Sequence, residues 1–113
     1  MPAFVEIDEV AAVPEFGNSG RSGWGFTLWG DATSNDGIYR GLLESFASEF
    51  PDTKLILPPW QEHEDMIEGT MVWKGRSVSV WFETALSHIF LWTDDRDAMT
   101  DLRSAILPFT ECA

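Results

Sequence analysis

The stretch EDMIEGTMVWKGRSVSVWFE, residues 64–83, constrains the fold more than any other part of the chain. It reads as two β-strands joined at Lys74-Gly75, because a two-residue hairpin turn needs positive φ at its centre and glycine supplies this without steric cost. Side chains alternate between the faces of a strand, so the turn also fixes which residues lie together. Ile67, Met71 and Trp73 then share a core-like face with Arg76, Val78, Val80 and Phe82. Met66, Glu68, Thr70 and Val72 share the other with Ser77, Ser79, Trp81 and Glu83. In this register Trp81 stands directly across from Glu68 and near Glu83.

The remaining segments can be placed around that hairpin. GWGFTLWG, residues 23–30, alternates Trp24, Phe26 and Leu28 against Thr27 and Trp29, which is strand periodicity. From Ile38 to Phe50 the apolar residues Ile38, Leu42, Leu43, Phe46, Ala47 and Phe50 follow helical spacing. Ser34, Asn35 or Asp36 is available as N-cap, and Pro51 ends the helix because the residue before proline avoids the helical region. TKLIL is a short strand stopped by Pro58 and Pro59. LSHIFLWT is apolar on both sides, which predicts a central or covered strand. Asp94 is expected to cap a last helix, with Asp95 and Asp97 in its first turn and Ala98, Met99, Leu102, Ala105 and Ile106 facing inward before Pro108. Residues 1–20 form an acidic arm or edge strand. The expectation is a single α+β domain over residues 1–113, a two-layer antiparallel sheet of about five strands with two helices packed on one face.

The glycine-rich GRSGWGFTLWGD, residues 20–31, invites a catalytic reading and fails it. A phosphate loop needs a helix N-terminus after its glycines, to aim backbone N–H groups at the anion, and here a strand follows. A nucleophile elbow needs serine within G-x-S-x-G, and GNSGRSG does not provide it. The glycines are expected instead to permit a tight lead into the strand, with unusual φ.

Charge narrows the function classes. Nineteen acidic against seven basic residues give a net charge of −12. That opposes binding to nucleic acid or to anionic membranes and favours a basic partner. The sole cysteine, Cys112, excludes an internal disulfide and a cysteine-based zinc site. No signal-peptide pattern and no membrane-length apolar run occur, so a cytosolic protein is expected. His63 lies among Glu62, Glu64, Asp65 and Glu68, but the spacing fits no calcium loop or zinc helix, and a solvated acidic loop without metal is expected. His88, in an apolar strand, reads as structural. Two distant histidines leave nucleophilic or zinc catalysis without its parts, so neither enzyme activity nor a cofactor is expected.

What remains is tryptophan beside carboxylates. Six Trp are many for one small core, and aromatic anchors ringed by acids suit a basic protein partner. The candidate partner-binding residues are Trp60, Glu62, Glu64, Asp65, Glu68, Trp81 and Glu83. In size, acidity, aromatic richness and lack of a catalytic set the chain resembles bacterial immunity proteins of contact-dependent growth-inhibition and other polymorphic toxin systems. That resemblance implies a cytosolic protein that binds and neutralises a basic toxin domain, foremost a nuclease, without touching nucleic acid or membrane itself. The alternative is a small adaptor or ligand-binding domain with a Trp-lined pocket.

Overall fold

At the hairpin, Lys74 and Gly75 both have positive φ, 48° and 82°, as a type I′ turn demands. In this computed structural model, which describes residues 4–13, 22–30, 36–59, 66–83 and 88–110, that turn joins β5 (Met66–Trp73) to β6 (Arg76–Glu83). The register runs from Trp73↔Arg76 through Glu68↔Trp81 to Met66↔Glu83, as the sequence predicts.

The other elements are β1 (Phe4–Ile7), β2 (Ala11–Val13), β3 (Gly23–Gly30), α1 (Asp36–Glu49), β4 (Lys54–Ile56), β7 (His88–Thr93) and α2 (Arg96–Ile106), the last running into a 3₁₀ turn at Leu107–Phe109. All strand pairings are antiparallel, in the order β1-β3-β7-β6-β5-β4, with β2 also on β3. β7 is therefore central, which accounts for its apolar residues on both sides. The sheet has seven strands rather than about five, because the acidic arm contributes two. β1 and β2 pair with β3 along the side that β7 leaves free, as two halves of one interrupted edge strand. Arg103 of α2 braces the interruption: its Nε donates to the Asp8 carbonyl at 2.7 Å and its Nη2 to the Ile7 carbonyl at 3.4 Å.

One sheet face carries the core. Phe26, Leu28, Ile67, Met71, Val78, Val80, Phe82, Ile89 and Leu91 pack there against Leu43 and Phe46 of α1 and Met99, Leu102 and Ile106 of α2. Both helices thus lie on that face. Trp73 joins them, 2% exposed, with its ring 5.4 Å from Phe46 and 5.2 Å from Phe50. Its indole N–H donates to Asp101 at 3.2 Å, which meets the polar need of a buried tryptophan.

The α2 cap differs from expectation. Asp95, not Asp94, is the N-cap, accepting from the backbone N–H groups of Asp97 at 2.9 Å and Ala98 at 3.2 Å. Asp94 instead pairs with Arg76 at 3.2 Å. Two adjacent aspartates compete for one role, and the strand end at Thr93 decides which reaches the first turn.

Candidate functional site

The second sheet face, turned away from both helices, is where the sequence-predicted site falls. Strand pairing sets its side chains in rows. One row runs Glu6, Trp29, His88 and Glu83. The next runs Thr27, Phe90, Trp81 and Glu68, and the third Gly25, Trp92, Ser79, Thr70 and Ile56. Glu68, Trp81 and Glu83 are therefore brought together, with Phe90 beside Trp81. Trp60, Glu62, Glu64 and Asp65 lie outside the described residues, as does His63.

The glycines of β3 shape this face in a way their sequence context does not predict. Among the described residues only Gly75 has positive φ for a glycine, so Gly23 and Gly25 serve no unusual backbone angle. They serve close approach. A Cβ at Gly23 would stand 2.9 Å from the Trp92 ring, and one at Gly25 would stand 2.8 Å from Phe90 Cζ. The two rings lean over β3 into the space that a side chain there would need. Trp92 is consequently 6% exposed on a face with no helix among the described residues.

On the other side of β7 the small side chains of β6 leave a trough. A cavity of about 440 Å³ lies against Lys74, Arg76, Ser77, Ser79, Trp92 and Asp94. A second, about 290 Å³, lies against Glu68, Thr70 and Ser79 and so meets the first at Ser79. Charge is unevenly matched along it. At the hairpin end Arg76 is held by Asp94 and by Asp95 at 3.0 Å, and Lys74 by Asp101 at 2.7 Å. At the other end the Glu68 side chain is exposed and makes no hydrogen bond or ion pair among the described residues.

Around Trp29 the face is ordered by polar contacts. The Trp29 indole N–H donates to Asp8 at 3.0 Å. His88 packs edge-on against Trp29 with ring centroids 5.1 Å apart, and its Nε2 lies 4.0 Å from Glu83 Oε1, too far for a hydrogen bond. The sequence pattern had placed Trp29 opposite the core face of its strand, but its nearness to Glu83 depends on β7 lying between β3 and β6. Phe90 and Trp92 were hidden for the same reason. Alternating strand glycines opposite aromatic positions are the signal that could have found them.

Among the described residues no three His, Cys, Asp or Glu side chains group as a metal site, and no helix is long and apolar enough to cross a membrane. Fold and face together define an acidic α+β protein with one sheet side given to helices and the other to aromatics and carboxylates. Compared with protein-family models, with curated proteins and with solved structures, the chain matches none.

Proposed function

We propose that this chain is an immunity-type inhibitor, a cytosolic protein that binds a basic toxin domain, foremost a nuclease, and blocks it by contact alone. The observation that carries the reading is the juxtaposition of Trp29, Trp81 and Phe90 with Glu6, Glu68 and Glu83 on the sheet face away from the helices, in a chain of net charge −12. Half-buried aromatics supply anchors once a partner desolvates them. Carboxylates around them select a basic surface, and the net field speeds its approach. A Trp-lined ligand pocket finds less support, since the larger cavity has one tryptophan, Trp92, in an otherwise mostly polar lining.

The test is binding and inhibition against the toxin domain encoded beside the chain. Trp81→Ala should cost about 2 kcal/mol or more of affinity, mainly through faster dissociation. Glu68→Lys should weaken binding as well, while neutralising Glu9, which pairs with Arg103 of α2, should only slow association at low salt. Circular dichroism checks that each variant folds. Wild-type protein that neither binds nor protects sinks the reading; folded Trp81→Ala and Glu68→Lys proteins that both inhibit like wild type put the interface on another surface.

A further inference from the structure

We infer that the trough along β6 receives a short extended basic segment of the partner, with one arginine or lysine side chain seated at Glu68. This deepens the inhibitor reading and rests on it for the partner's identity. Space comes first. The two cavities, about 440 and 290 Å³, share Ser79 and follow the strand from Ser77 to Val80, a rise of about 10 Å and so roughly three extended residues. The floor offers hydroxyls from Ser77, Ser79 and Thr70, which can pair with the backbone of an incoming chain while the strand's own backbone stays in its ladders.

Charge sets direction. Both hairpin cations are already matched by aspartates, so that end does not call for an anion. Glu68 is left as an exposed carboxylate with no ion pair among the described residues. A cation is attracted to it, and Trp81, directly across the strand pair, offers an aromatic ring for the same group. The aliphatic stem of such a side chain has an apolar neighbour in Ile56, which pairs with Thr70 and is 60% exposed. An aromatic ring, a carboxylate and an exposed aliphatic surface are what a long basic side chain uses, with its stem on apolar surface and its head at the charge.

The experiment is an amide and indole NMR titration of the full chain with the tripeptide acetyl-Gly-Arg-Gly-amide, repeated with citrulline in place of arginine. The expected result is saturable shifts at the amides of Glu68, Thr70 and Ser79 and at the Trp81 indole, with the neutral peptide about fivefold weaker, the size of one exposed charge contact. Glu68→Gln should bring the arginine peptide down to the citrulline level, and Ser79→Leu, filling the trough where its two parts meet, should abolish both responses. Equal binding of the two peptides, shifts confined to another surface, preference for an acetyl-Gly-Glu-Gly-amide control, or no saturable response at tens of millimolar would each overturn the inference. No toxin enters this titration. A chain that inhibits its toxin but ignores the peptide therefore loses only this inference, and one that binds the peptide without inhibiting loses only the inhibitor reading.

Discussion

Replacing Gly25 by alanine and replacing Gly41 by alanine are the same chemical change, and they should move stability in opposite directions. In α1, a Cβ at Gly41 would meet nothing within 4 Å, so alanine brings only its better helix propensity, about 0.8–1 kcal/mol. In β3, a Cβ at Gly25 would lie 2.7 Å from the Leu91 carbonyl oxygen and 2.8 Å from Phe90 Cζ. The carbonyl belongs to the β3–β7 ladder and cannot retreat without disturbing the pairing; the ring can move only by giving up its place over the strand. Overpacking of this kind costs about 1–3 kcal/mol, offset by roughly 0.5–1 kcal/mol from the stiffer unfolded chain. Because one clash is with a backbone oxygen that cannot move aside, the cost lies in the upper part of that range, and the net loss is about 1–2 kcal/mol. Urea unfolding followed by circular dichroism suits a chain of this size, which should unfold in one step. At a typical m-value of about 2 kcal/mol/M, the midpoint should fall by roughly 0.5–1 M for Gly25→Ala and rise by roughly 0.4–0.5 M for Gly41→Ala. A Gly25→Ala protein as stable as wild type, beside a stabilised Gly41→Ala, would refute the account of Phe90 lying over that glycine.

Gly75→Ala, at φ 82°, should lose about 1–2 kcal/mol in the same urea assay, because a side chain there meets the left-handed penalty. Asp95→Ala removes an N-cap bonded to two backbone N–H groups and should cost about 1 kcal/mol, measured as a lower urea midpoint. Asp94→Ala removes an exposed pair with Arg76 and should cost less, about 0–1 kcal/mol; the reverse order would return the cap to Asp94. Arg103→Ala takes away the donors at the Asp8 and Ile7 carbonyls. Hydrogen exchange at the Asp8 amide, which bonds Thr27 O at 2.9 Å, should then quicken more than exchange in β6.

The elements legible in the sequence are those whose cause is local. Lys74-Gly75 declares its turn, and the turn alone carries the register of eight strand residues on either side. The buried stripe Met99, Leu102 and Ile106 follows from helical spacing. What stayed hidden depends on long-range neighbours. Nothing near Gly25 announces Phe90, because the two meet only when β3 pairs with β7. Cap choice between Asp94 and Asp95 turns on where the preceding strand stops, a matter of one residue. The acidic arm was readable as an edge strand but not as two halves, since its break is held by an arginine far along the chain, Arg103. Of the candidate site, the Trp81–Glu68 pairing was legible through the hairpin, whereas Trp29 joins the same face only through β7.

Small residues do two opposite things on this face, and the difference bears on which tryptophan can serve a partner. In β3 the missing side chains at Gly23 and Gly25 are filled from within, by Trp92 and Phe90. Trp92 is thereby 6% exposed, and its apolar area is already spent on the fold. A partner arriving over it gains little further burial, so truncating it should act on stability rather than on association. In β6 the small side chains of Ser77 and Ser79 leave space that stays open as far as Glu68. Trp81 is only half-buried, with a carboxylate directly across from it. Binding energy released on desolvation is therefore available at Trp81 and not at Trp92, although the two are neighbours on one sheet face, and this places the anchor of any basic partner on the β5–β6 side of the face.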